Sequence, residues 1–335
     1  MQFRQLQRRE FINLLGGAAT WPLAARAQQG AGIKRLGILM AYPEGDQEGQ
    51  AFLAAFREEL EKLGWVEGRN IQIDTRWAQA ADAESRLKFA KELVALHPDL
   101  VLSHGTPSTA ALLQQTHILP IIFVNVTDPI GSGFLTSFAK PGANVTGFIN
   151  MEPTIAGKWL ELLKEIAPRV TRCAILFNPT TAPYAEYFLA PFKASAASFA
   201  VEAIIARVRD AAELETAIVA QAPESNGAVI VMPDTFTTVH RAKIAALAAQ
   251  YRIPAVYPFR FFATNGGLLS YGSDTVDSYR RAALYADRIL RGQKPSELPV
   301  QAPVKYELVV NLKTAKALGI DVPLRFQQLA DEVIE

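Results

Sequence analysis

The side chains best suited to holding a small molecule fall in short polar runs, each following an apolar stretch. His104-Gly105-Thr106-Pro107-Ser108-Thr109 sets Gly105, Thr106, Ser108 and Thr109 at the start of a helical pattern. Free backbone N–H groups and the helix dipole favour an anion such as a carboxylate there. Asn125-Val126-Thr127-Asp128, Asn178 through Tyr184, Pro233-Asp234-Thr235 and Tyr257-Pro258-Phe259-Arg260 repeat the arrangement farther on. Arg260 can take a carboxylate through two parallel hydrogen bonds, and Asp128 or Asp234 can answer an ammonium group. Tyr42, Tyr184 and Tyr271 offer flat walls with a hydrogen-bonding tip. Each position also has a plainer reading. Ser, Thr, Asp and Asn cap helices, an arginine near a strand end braces a loop against an acid, and Tyr271 serves equally as a hinge or core residue. Five polar strand ends spread over two halves nevertheless describe a cleft, and the expected contents are a small carboxylate with an aromatic or apolar body.

Catalytic chemistry is poorly provided for. Of the four histidines, His97, His104, His117 and His240, only His104 falls at the edge of the cleft, and a hydrolase built on Ser108 and His104 is the enzyme alternative. There is no Gly-x-Ser-x-Gly elbow and no His-x-x-x-His or Cys-x-x-Cys spacing for a metal. The turn Ala41-Tyr42-Pro43-Glu44-Gly45 lacks the glycines of a dinucleotide fingerprint, and no phosphate-binding loop occurs. The reading is therefore a binding protein, not an enzyme, with no cofactor and no metal. The one cysteine, Cys173, lies within an apolar run and reads as buried and inert.

The elements that must position these residues alternate. Strand-like runs at 35–40, 70–74, 98–103 and 121–124 are separated by helical patterns beginning near Phe52, at 83–96 and at 107–116. The rhythm restarts with a helix at 155–166 and strands at 173–177, 201–206, 228–232, 255–257 and 268–270. Helices fall between them near 184–199, 211–221 and 237–250. Such alternation predicts an α/β protein with parallel sheets covered by helices on both faces, in two doubly wound lobes.

The 335 residues carry a net charge of +1. Residues 1–27 hold Arg4, Arg8, Arg9 and Arg26 against Glu10, a net +3, which leaves −2 for the remainder. Nothing resembles the basic stripe that nucleic acid requires. Arg8-Arg9 precedes a short, glycine-diluted apolar stretch and then Ala25-Arg26-Ala27. That is the order of a cleavable twin-arginine export signal. The apolar stretch is too short for a bilayer span, which takes about 20 residues. The expected product starts at Gln28 and is a soluble, monomeric periplasmic protein.

Several segments together resemble a known family. Phe148, Glu161-Leu162-Leu163-Lys164, Asn178-Pro179, Tyr257-Pro258-Phe259-Arg260, Gly266-Gly267-Leu268-Leu269-Ser270-Tyr271-Gly272 and Asn311 through Ile320 are similar to the ABC transporter substrate-binding proteins related to tryptophan- and tyrosine-binding proteins. The similarity runs from about Ile33 to Glu335. It implies a type I periplasmic binding fold, with two Rossmann-like lobes joined by three crossovers. Lobe 1 would comprise 33–148 plus about 275–300, and lobe 2 149–274 plus about 301–335. The implied role is the solute-binding component of an ABC importer, docking on permease subunits. The ligand would be an aromatic amino acid or related acid bound through Gly105 to Thr109, Asn125 to Asp128, Asn178 to Tyr184, Asp234, Thr235 and Tyr271. The segment after Arg260, Phe261-Phe262-Ala263, carries Phe where an acid often stands in similar proteins. The same cleft would serve a protein that reports its ligand to a membrane receptor.

Overall fold

The computed structural model describes residues 32–78, 82–142, 144–222 and 226–335; the export signal expected at 1–27 lies outside them. The first half builds one sheet. Its strands are β1 (Lys34–Met40), β2 (Ile71–Trp77), β3 (Leu100–His104), β4 (Ile121–Val126) and β5 (Val145–Ile149). They lie in the order β2-β1-β3-β4-β5, all parallel. Helix α1 (Gln47–Lys62) starts where the Asp46 side chain accepts from the amides of Glu48 and Gly49. It buries Phe52, Phe56 and Leu60, one stripe at helical spacing. Helices α2 (Ala83–Ala95) and α3 (Gly105–Leu113) complete the crossovers.

The second half repeats the pattern on a larger sheet. Its elements are α4 (Ile155–Ile166), β6 (Arg172–Phe177), α5 (Ala185–Ser198), β7 (Glu202–Arg207), α6 (Ala211–Val219) and β8 (Gly227–Val231). After these come α7 (Thr235–Val239), α8 (Arg241–Gln250), β9 (Ala255–Tyr257), α9 (Arg260–Thr264) and β10 (Leu269–Ser273). The chain then forms α10 (Thr275–Leu290), β11 (Tyr306–Asn311), α11 (Leu312–Leu318), α12 (Leu324–Leu329) and β12 (Glu332–Ile334). The seven strands run β12-β11-β10-β9-β8-β6-β7. All pairs are parallel except β10 with β11, which runs antiparallel. The central strands β6 and β8 are buried on both faces, as a sheet covered on both sides requires.

Three segments link the halves. The chain passes from β5 to α4, from β10 into α10, and from the end of α10 towards β11. Helix α10 packs on α1 and on β4, so this part of the chain returns to the first sheet. The link segments lie beside one another: Ile149 N donates to Gln301 O, Gln301 N to Gly147 O and Asp274 N to Lys305 O. Trp159, fully buried on α4, donates its indole N–H to Tyr271 O at 2.7 Å.

Some elements depart from the sequence reading. Strands β5, β11 and β12 were not expected. In β5, Val-Thr-Gly-Phe-Ile shows neither alternation nor a continuous branched run, yet every residue is buried. Gly147 permits its approach, since a β-carbon there would sit 2.0 Å from Phe123 O. The helix expected at 237–250 is broken at His240 into α7 and α8. Among the described residues, no helix is long and apolar enough to cross a membrane.

Candidate functional site

A cavity lies between the halves, at the carboxyl ends of both parallel sheets, where such sheets place their ligands. The first half supplies Tyr42 after β1, His104, Gly105 and Thr106 at the junction of β3 and α3, Asn125 in β4 and Asn150 after β5. The second supplies Tyr184 before α5, Pro233, Asp234, Thr235 and Thr238 around α7, and Phe259 after β9. The enclosed space is about 20 Å³, the size of about one water molecule. The two halves thus lie close together around it.

His104 organises the first half of the site. It is buried, and burial holds its imidazole neutral, with a pKa pushed down to about 3. Its Nδ1 lies 2.8 Å from the Tyr279 hydroxyl, whose own proton faces Met40 Sδ at 3.3 Å. Asn125 Nδ2 lies 3.1 Å from Nε2. One set of protons satisfies all three contacts: Nδ1–H donates to Tyr279, Tyr279 donates to Met40, and Asn125 donates to Nε2. Asn125 itself has φ 62° at an irregularity in the β4–β5 register. Its Oδ1 finds no hydrogen-bond donor among the described residues and so remains an acceptor at the cavity.

The start of α3 is different in character. His104 precedes it and makes no side-chain capping bond, and Pro107 in the first turn has no N–H to satisfy. Gly105, at φ 79°, and Thr106 are the first two helical residues and both line the cavity. This is the position where a helix favours an anion. Thr106 Oγ1 also accepts from Thr127 N at 3.4 Å, and Asn150 Nδ2 donates to Thr127 Oγ1 at 2.9 Å.

In the second half, Asp234 is buried and caps α7. Its carboxylate accepts from Phe236 N at 2.9 Å, from Asn178 N at 2.7 Å and from the Thr181 hydroxyl. Burial pushes its pKa up to about 6, and those three donors oppose the rise. Tyr184, whose hydroxyl donates to Pro233 O at 2.5 Å, and Phe259 line the cavity from the second half, as Tyr42 does from the first. Among the described residues no lysine or arginine lines the cavity.

Seven of the residues anticipated from sequence thus meet at the cavity: Tyr42, Gly105, Thr106, Asn125, Tyr184, Asp234 and Thr235. The other six sit elsewhere, each for a definite reason. Arg260 pairs with Glu332 at 2.6 and 2.9 Å on an exposed face, so it braces α9 against β12. Tyr271 stacks on Tyr306 at 5.7 Å. Asp128 accepts from Gly131 N within its own loop. Asn178 stands behind Asp234 and holds Arg209 O. Thr109 is fully buried on Ser103 and Gly105 O. Ser108 is also fully buried, and its hydroxyl has no partner among the described residues. Both His104 nitrogens are engaged elsewhere, and no base hydrogen-bonds to Ser108 among the described residues. Cys173 is buried and its thiol pushed well up by that burial.

Asn150, Thr238, Pro233, Phe259 and His104 complete the lining without having been chosen as ligand contacts. Asn150 was hidden because β5 was not recognised; the other four lie in or beside the polar runs that mark the strand ends.

Comparison with known proteins agrees with this layout. The family model for ABC transporter substrate binding proteins matches residues 47–334. A tyrosine-binding protein of Clostridioides difficile is 27% identical over 293 residues, spanning 86% of this chain and 81% of the relative. A conserved domain protein from Vibrio cholerae superposes with a TM-score of 0.81 at 26% identity, over 90% of this chain and 99% of that one. The ABC domain of a Streptococcus protein in complex with L-Trp gives the same score and coverages at 24% identity.

Proposed function

The chain belongs to the family of ABC transporter substrate-binding proteins and has the type I periplasmic binding fold, and from that premise we propose that it is the exported solute-binding component of an importer whose ligand is an aromatic amino acid or a closely related acid. The observation that carries this reading is the cavity itself. Aromatic residues line it from both halves, Tyr42 from one and Tyr184 and Phe259 from the other, while the uncapped start of α3 offers Gly105 and Thr106 to a carboxylate. Asn125 Oδ1 is placed to accept from a donor group on the ligand. The names of relatives that bind tyrosine and tryptophan support the same choice.

In this reading lobe 1 comprises 33–148 with about 275–300, and lobe 2 comprises 149–274 with about 301–335. The lobes part about the three linking segments, admit the ligand and close, because contacts made from both sides favour the closed form. The closed form then docks on the permease. Residues 1–27 direct export and are removed.

The test has two arms. Expression of the full chain in a bacterial host should yield periplasmic protein beginning at Gln28. That product is then screened by thermal shift against tyrosine, tryptophan, aromatic acids and sugars. A ligand at 100 times its Kd stabilises by about 2.7 kcal/mol, which moves the Tm by several degrees. Asn125→Ala should abolish the shift. Stabilisation by sugars alone would overturn the aromatic ligand, and retention of an uncleaved precursor in the cytoplasm would overturn export.

A further inference from the structure

We infer that Asp46 and Arg241 form a latch between the two halves that sets how far the protein closes, and so tunes affinity without touching the ligand. The inference rests on the lobe closure proposed above. Asp46 follows β1 in the first half, and its Oδ1 accepts from Glu48 N and Gly49 N at 3.0 and 3.1 Å. Those bonds belong to the cap of α1 and need nothing from the other half. Its second oxygen faces across and accepts from Arg241 Nη2 at 2.6 Å. Arg241 begins α8 in the second half. Its Nη1 donates to Thr238 O at 3.1 Å, and its guanidinium lies over the Phe261 ring, 5.7 Å from the centroid.

The side chains of Asp46 and Arg241 are only 8% and 16% exposed, and neither lines the cavity. Parting the halves would separate the two charges and return each to water. Closing them desolvates both charges and matches them. A desolvated ion pair need not stabilise against a hydrophobic replacement, but removing one member leaves a buried charge without its partner. That cost falls on the closed form alone. Any ligand that binds the closed form then shows a weaker apparent affinity, in proportion to the lost closed population. Thr238 links the latch to the site, since its carbonyl holds Arg241 while the residue lines the cavity.

The test reads lobe separation and uses no ligand. Spin labels are placed on cysteines at Glu58 and Ala246, both exposed and one in each half; buried Cys173 does not compete for label. Asp46→Asn keeps the helix cap, because Asn caps as well as Asp, and Arg241→Met keeps an apolar stem against Phe261. The unmodified pair should give a short-distance component by electron–electron resonance. Each single substitution should reduce that component by about tenfold or more. The double variant should lose less than the two singles combined, because no orphan charge remains. A parent distribution without a short component, or one that both singles leave unchanged, overturns the latch. Thermal-shift binding is a separate readout, so a wrong ligand and a wrong latch are told apart.

Discussion

His104 and Asp234 face the same cavity from opposite halves, and burial disfavours the charged form of each, lowering the pKa of the histidine and raising that of the aspartate. In the unfolded chain His104 takes a proton near pH 6.5, whereas in the fold it stays neutral down to about 3. Between those values the unfolded chain binds the extra proton, so this residue destabilises the fold as pH falls. Asp234 behaves conversely: it titrates near 3.8 when unfolded and near 6 when folded. Its contribution is fully present below about pH 4 and is lost as pH rises through about 6. From pH 4 to 6 the two slopes oppose each other, each about 1.4 kcal/mol per pH unit. Asp234→Asn should therefore expose the histidine slope, and stability relative to the parent protein should fall progressively as pH drops from 6 to 4. His104→Gln should do the reverse and gain relative stability over the same range. Denaturation in urea at intervals of half a pH unit measures both. Parallel curves for parent and variants would mean that neither group titrates differently in the fold.

At the scale of elements, the glycines of the Gly-Gly-Leu-Leu-Ser-Tyr-Gly segment have a steric explanation. A β-carbon on Gly272 would sit 1.6 Å from Pro258 O, and one on Gly267 would sit 2.6 Å from the Tyr257 ring. Strand β10 can therefore run into its crossover only if both positions lack a side chain. Gly272→Ala must push the end of β10 away from the β9–α9 turn, and a loss of about 3 kcal/mol is expected, read as a lower urea midpoint with unchanged slope. A loss under about 0.5 kcal/mol, the range of ordinary surface changes, would show that the turn yields freely. The alternating strands and helices around this segment were legible because their apolar periodicity is strong. Helix 155–166, for example, has the same bounds in sequence and structure. Strand β5 escaped because Gly147 interrupts its pattern, and β11 and β12 because short runs at the end of a chain carry little periodicity. The site was legible only in part for a related reason. Strand-end position brought Tyr42, Thr106, Asn125 and Asp234 to the cavity, but nothing local distinguishes Arg260 facing a ligand from Arg260 facing Glu332, 72 residues away.

Across the whole molecule, the cavity is too small for an aromatic solute while the halves are closed, and its wall is divided between them. In the proposed function, binding is coupled to a movement about the three linking segments, where Lys305 spans Asp274 and Glu307 at 2.9 Å each. A ligand that touched one half alone would leave the other half's opening equilibrium untouched. One that engages Gly105 and Thr106 together with Tyr184 and Thr235 ties both halves to the closed form. Hydrogen exchange separates these cases without any knowledge of the pose. With ligand at 100 times its Kd, amides that exchange only through global opening should slow by about 100-fold, and they should do so in both sheets. The first turn of α3 and the amides around Thr235 should gain protection together, since they meet only when the halves close. Protection confined to α3 and its sheet would show that the ligand is held by one half and that closure serves some other purpose. Protection in both halves, reduced in parallel by Asp46→Asn, would join ligand capture and the ion pair in a single closing equilibrium.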